Sequence, residues 1–167
     1  MISRVVIAAL LAGGCAGDDA CDALIPVAVD RPSEAPSQGI SAQVPSFAGF
    51  YCENGNFVIA LTSEAAADRE AAAAMIDART MSSCGAAPQI EFRLVRYTFL
   101  ALSGWRDALF SSFLDSPGAV GLYIDYVGNR IGMEQTIDAA PGAVAFAHCL
   151  DMPGDAYTTQ IVEPIDE

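Results

Sequence analysis

YIDYVGNRIGMEQ, residues 123–135, is the stretch on which the reading of the fold turns. With the residues just before it, Val120, Leu122, Ile124 and Tyr126 alternate with Gly121, Tyr123, Asp125 and Val127. That period of two marks a half-buried strand. Gly128-Asn129 is a two-residue turn signal, so the spacing predicts a hairpin with Tyr126 opposite Ile131 and Ile124 opposite Met133. One face is then apolar, and Asp125, Arg130 and Glu134 fall on the other. Charges on the outer face of a half-buried sheet are scaffold by default. These three residues are at the same time the candidate interaction surface.

Working outward, TFLALSGWRDALFSSFLD, residues 98–115, places Phe99, Leu102, Trp105, Leu109 and Phe113 at helical spacing. Thr98 caps its start and Ser116-Pro117-Gly118 stops it. Gly104 inside it costs roughly 1 kcal/mol relative to Ala. Either close packing requires it or the helix starts later, at a Ser103 cap. QIEFRLVRY, residues 89–97, sets Ile90, Phe92 and Leu94 against Glu91, Arg93 and Val95, a half-buried strand. EAAADREAAAAMIDAR, residues 64–79, has very high helix propensity. Ser63 is its N-cap, and Ala65, Ala72, Met75 and Ile76 form its apolar face. FYCENGNFVIALT, residues 50–62, carries a Gly-Asn turn and the apolar run Phe57–Leu61, a strand with room for a short paired one before it. Downstream, residues 141–150 suit a short helix and residues 156–162 a last strand. The order is β-α-β-α-β-β-α-β. Its last six elements make a split β-α-β pair. The expected class is therefore α+β: a ferredoxin-like antiparallel sheet with helices on one face, plus an extra N-terminal β-α unit. No internal repeat and no heptad array is legible.

The chain begins MISRVVIAALLAGGC. Arg4 is a positive n-region, and Val5 to Leu11 is an apolar run too short to span a bilayer. Leu11-Ala12-Gly13-Gly14-Cys15 approximates a bacterial lipobox, with Ala12 where Leu, Val or Ile is usual. Residues 1–14 are thus expected to be a lipoprotein-type signal peptide and Cys15 its lipidation site. That makes the protein an anchored lipoprotein of the bacterial cell envelope, or a secreted one if Cys15 is not acylated. Residues 15–45, rich in Pro, Ser and Asp, read as a disordered tether. Residues 46–167 are long enough for one domain with a core.

The formal net charge is −13 and there is no lysine. Such a surface repels nucleic acid and anionic head groups, so membrane contact is expected only through the N-terminal lipid. Apart from Cys15 there remain Cys21, Cys52, Cys84 and Cys149, an even set that in an exported chain implies two disulfides. Three connectivities are open. Cys52 precedes the first strand and Cys84 follows its return helix, so both belong to one end of the sheet. This favours Cys52–Cys84 and leaves Cys21 for Cys149. With no Cys-x-x-Cys and one histidine, no metal and no cofactor is expected. His148 and Cys149 are adjacent, and neighbours on a helix point about 100° apart, a poor geometry for a nucleophile pair. There is no Gly-x-Ser-x-Gly elbow and no phosphate loop. Trp105, on an apolar helical stripe, reads as core. No catalytic residue is expected.

From Ser46 onward the chain resembles an exported bacterial module found ahead of chymotrypsin-like serine protease domains, similar to protease pro-regions. VPSFAGFYCENGNFVIALT, YTFLALSGWRDAL, IDYVGNRIGM and MPGDAYTTQIVEPI carry the resemblance. Its most specific pieces are Asp125 with Asn129-Arg130, and Trp105-Arg106-Asp107. It implies a non-enzymatic domain that inhibits a protease or helps it fold. The sequence carries no protease domain and no His-Asp-Ser set, so that action is expected in trans. The expected partner is another protein, a protease among the candidates, which can add a strand at an open sheet edge. The rival readings are a small exported hydrolase, using acids or His148-Cys149, and a purely structural envelope lipoprotein.

Overall fold

The computed structural model describes residues 34–137 and 140–163. The leader over residues 1–14, the lipidation of Cys15 and the pairing of Cys21 lie outside them. The elements run α1 (Ala35–Gln43), β1 (Phe47–Glu53), β2 (Asn56–Leu61), α2 (Ala66–Ala74), α3 (Ala78–Ser82) and β3 (Ile90–Leu94). They continue with α4 (Phe99–Leu114), β4 (Ala119–Asp125), β5 (Arg130–Gln135), α5 (Ala140–Cys149) and β6 (Tyr157–Ile161). The class is α+β as expected, and the architecture is compatible with the ferredoxin-like class. The strands divide between two three-stranded mixed sheets, β1-β2-β3 and β4-β5-β6. In each, an antiparallel hairpin is extended by one parallel strand.

The two sheets share one plan. In the first hairpin Phe47 pairs with Leu61, then a register shift brings Gly49 to Ala60, Tyr51 to Val58 and Glu53 to Asn56. In the second, Ala119 pairs with Gln135, then the same shift brings Gly121 to Glu134, Tyr123 to Gly132 and Asp125 to Arg130. The hydrogen bonds that close the sheets match as well. Phe57 N donates to Gln89 O at 2.9 Å, and Ile131 N to Ala156 O at 2.8 Å. Val95 N donates to Leu61 O and Val162 N to Gln135 O, both at 2.9 Å. Thr62 N donates to Ser46 O and Thr136 N to Gly118 O, both at 2.8 Å. A helix precedes each hairpin, α1 or α4. The described chain is one α-β-β-α-β plan used twice, which corrects the reading that found no repeat. Among the matched strand positions, Gly49/Gly121 and Tyr51/Tyr123 keep their identity. What recurs is the hydrogen-bond register, which does not require the same side chains.

One core serves both halves. It joins Phe47, Phe57, Ile59 and Leu61 of the first sheet to Ile124, Ile131 and Met133 of the second. Phe99, Leu102, Leu109 and Phe113 of α4 complete it, on the stripe its spacing indicated. Burying a side chain of this kind stabilises by ~1.5–3 kcal/mol. Gly49 joins the halves at one point. Its φ is +138°, and a Cβ there meets the ring of Tyr126 well inside contact distance. Only glycine suits that backbone and that approach.

Five expectations are corrected in detail. The tether does not extend to residue 45: α1 spans Ala35–Gln43 with Pro36 in its first turn, and it buries Ile40, with Val44 just beyond. Its polar composition hid a single apolar ridge. The helix expected over residues 64–79 is two helices. Asp77 breaks it by taking the N-cap of α3, its carboxylate accepting from Thr80 N at 2.6 Å. An Asp side chain competes with helical hydrogen bonds and favours such caps. Ser63 caps no helix directly; its hydroxyl accepts from Ala65 N at 3.1 Å. The apolar face of β3 is only partly covered: Ile90 packs on the core and Arg69 of the alanine-rich α2 lies over the Phe92 ring, but Phe92 stays 39% and Leu94 57% exposed.

The fifth correction is the register of the second hairpin. Ile124 faces Ile131 and Leu122 faces Met133, so the loop is the four residues 126–129. The shift is two residues, and with a period of two the faces are unchanged. The favoured disulfide does form: Cys52 and Cys84 are bonded, with Cα atoms 5.1 Å apart and 32 residues of separation. Chain-entropy reasoning gives a bridge of that span roughly 3–4 kcal/mol.

Candidate functional site

The outer face of the second hairpin is built from its turn. Asp125 and Arg130 are directly paired, and Arg130 Nε donates to Asp125 Oδ2 at 3.2 Å. The other carboxylate oxygen accepts from Gly128 N at 2.9 Å. A side chain at Gly128 has no room: its Cβ collides with both Asp125 and Arg130. Asn129 takes a left-handed φ of 51°, which Asn tolerates better than most residues. Its buried amide leaves the hairpin altogether. Oδ1 accepts from Arg96 N at 3.0 Å and from Tyr97 N at 2.7 Å, while Nδ2 donates to Tyr97 O at 2.8 Å. The turn thereby clamps the segment that leads from the first half into the second.

That segment is pinned a second time. Tyr97 OH donates to Asp155 Oδ1 at 2.5 Å, and Arg96 pairs with the same carboxylate. The Tyr97 hydroxyl, with Arg96 beside it, holds the Asp155 carboxyl below its ordinary range, whereas burial pushes the Tyr97 phenol up. Trp105 meets the Tyr97 ring edge-on at 5.3 Å, so it is framework, as its stripe suggested. Arg106 is 3% exposed. It donates to Glu34 and, through two nitrogens at 2.9 and 3.1 Å, to Asp107 Oδ1. Burial opposes its charge, but the hydrogen bonds of Glu34 and Asp107 outweigh that and raise its pKa. Asn129, Arg130, Trp105 and Arg106 thus all hold the fold.

Further along the outer face, Tyr123 lies over Gly132, and its ring fills the space a side chain there needs. Tyr123 remains 38% exposed, with Glu134 next on the same face. The equivalent face of the first sheet carries Tyr51 and Glu53. Arg93 of β3 sits over the Tyr51 ring at 5.5 Å and pairs with Glu53, whose carboxyl it holds below the ordinary range. Two Tyr-acid pairs, Tyr51-Glu53 and Tyr123-Asp125, therefore occupy matched positions, each acid balanced by one arginine. The expected surface of Asp125, Arg130 and Glu134 is one half of this arrangement. Sequence reading missed the other half because its arginine comes from β3, 40 residues from Glu53.

Among the described residues no group of three or more His, Cys, Asp or Glu is placed to hold a metal ion. Cys149 is a disulfide cysteine, so it has no thiolate to offer beside His148. No described helix is long and apolar enough to cross a membrane. Compared with protein-family models and with curated proteins, the chain matches none.

Proposed function

We propose that the chain is an exported domain, held to the cell envelope by a lipid on Cys15, that catalyses no reaction and binds another protein through the outer faces of its two hairpins. The observation that carries this reading is the matched placement of Tyr51-Glu53 and Tyr123-Asp125, with Tyr123 left exposed between charged neighbours. Tyrosine is enriched at protein interfaces, where it offers a large rigid area with a polar tip. A net charge of −13 favours a partner that is basic at the contact. The resemblance to protease pro-regions points to a serine protease, met in trans. The leader sequence and the Cys52–Cys84 bridge support export, since disulfides persist in oxidising compartments.

Affinity capture from the native envelope tests the reading, with wild type run beside Tyr123→Ala and Glu134→Arg. The expected result is one stoichiometric protein retained by wild type and weakened by both substitutions, with melting temperatures close to wild type. Equal recovery by all three, or recovery of none, contradicts it and favours a structural envelope lipoprotein.

A further inference from the structure

The outer strand β3 carries a sequence that complements itself. Ile90-Glu91-Phe92-Arg93-Leu94 reads apolar, acid, aromatic, base, apolar about Phe92. Among the described residues β3 pairs only with β2, so its other edge is open. The direction of its backbone groups follows from two hydrogen bonds. Gln89 O accepts from Phe57 N, and Val95 N donates to Leu61 O, so both residues turn their polar groups toward β2. Successive residues of a strand alternate between the two edges. The N–H and C=O groups of Ile90, Phe92 and Leu94 therefore face the open side.

We infer that this edge binds a second copy of the chain, β3 to β3 and antiparallel, about a two-fold axis through Phe92. That register pairs Phe92 with Phe92 of the second copy and Ile90 with its Leu94, all with their polar groups facing one another. Glu91 then lies opposite Arg93 at non-hydrogen-bonded positions, where side chains are closest. The competing registers that keep the outward groups paired slip by one residue in the centre of symmetry. One sets Glu91 against Glu91 and the other Arg93 against Arg93, each destabilising. Only the Phe92-centred register satisfies the backbone, the apolar face and the charges together. It also covers Phe92 and Leu94, which stay 39% and 57% exposed although Arg69 lies over the Phe92 ring. This edge shares Arg93 with the outer face of the first hairpin, where it lies over Tyr51 and pairs with Glu53, whereas Phe92 and Leu94 lie on the opposite face of β3.

A five-residue edge is smaller than the ~800 Å² per partner of a standard interface, so the dimer is weak. Sedimentation of the purified full chain from about 1 μM to about 1 mM covers the relevant range. The salt is about 0.15 M, where the repulsion of two acidic chains is screened beyond ~8 Å. Wild type is expected to pass from monomer to dimer. Glu91→Arg and Arg93→Glu, each placing like charges opposite, are expected to weaken association by roughly tenfold or more. An equal mixture of those two variants restores complementary pairs and is expected to form a one-to-one heterodimer. Leu94→Lys, which leaves the Arg93–Glu53 pair intact, is expected to weaken the dimer as well. A chain monomeric throughout, a dimer insensitive to all three substitutions, or a mixture that stays monomeric overturns the inference.

Discussion

Replacing Asn129 by alanine removes the clamp between the halves at one stroke. Three hydrogen bonds of 2.7–3.0 Å disappear, and the N–H of Tyr97 is left buried without its partner. A neutral hydrogen bond contributes about 1 kcal/mol net, and a buried backbone group left unmade costs about 1–3 kcal/mol. Alanine at a φ of 51° adds about 1–2 kcal/mol. The terms overlap, so the expected loss is about 3–5 kcal/mol, a large share of the ~5–15 kcal/mol typical of a domain. Asn129→Gly separates the contributions: it accepts the φ but forfeits the bonds, and should recover about 1 kcal/mol of that loss. Urea unfolding followed by tryptophan fluorescence is the assay. The chain has a single tryptophan, Trp105, whose ring touches Tyr97 beside the clamp. A loss under about 1 kcal/mol for Asn129→Ala would refute the reasoning, because the three bonds could not then be made in solution.

Arg106→Ala strands the buried Glu34 carboxylate, one oxygen of which already lacks a partner among the described residues, and should cost about 3–5 kcal/mol in the same assay. Adding Glu34→Gln to Arg106→Met should recover part of that loss. Gly104→Ala should stabilise by about 0.5–1 kcal/mol, since Gly104 is an exposed position of α4 and a Cβ there meets nothing. Stability should form a plateau against pH. Glu53, Asp68 and Asp155 have depressed carboxyl pKa values, held down by Arg93, Ser46 and Tyr97 respectively, so their contribution is present above ~4 and lost as pH falls through the folded values. Burial raises Tyr51, Tyr97 and Tyr126, so theirs is present below ~10 and lost as pH rises further; thermal melts across that range check both limbs.

Elements were legible where one periodicity dominated. The strand faces around residues 123–135 and the stripe of α4 follow directly from spacing, and the faces survive the two-residue error in register. That error arose because Gly128-Asn129 signals a tight turn, whereas Asn129 is spent on Tyr97 and Asp125 on Gly128. Contacts of that length, 32 residues for Asn129 to Tyr97, leave no mark in local pattern. The duplication was illegible for a related reason. Buried Phe47 matches half-buried Ala119, and exposed Cys52 matches buried Ile124, so equivalent positions share a register but neither an identity nor a burial. The Cys52–Cys84 bridge was accessible because it followed from topology and not from side-chain detail. The outer face was half legible: Asp125, Arg130 and Glu134 lie on one hairpin, but Arg93 reaches Glu53 from another strand of the other sheet.

The proposal that the hairpin faces bind a protein is tested most directly by placing a photo-crosslinking residue at Tyr123 and, as a control, at Val144, an exposed apolar position on α5. Irradiation in the native envelope should yield one discrete adduct of constant mass from Tyr123, absent from Val144, with the adduct lost when Glu134→Arg is added. No adduct from Tyr123, or the same adducts from both positions, would contradict the account.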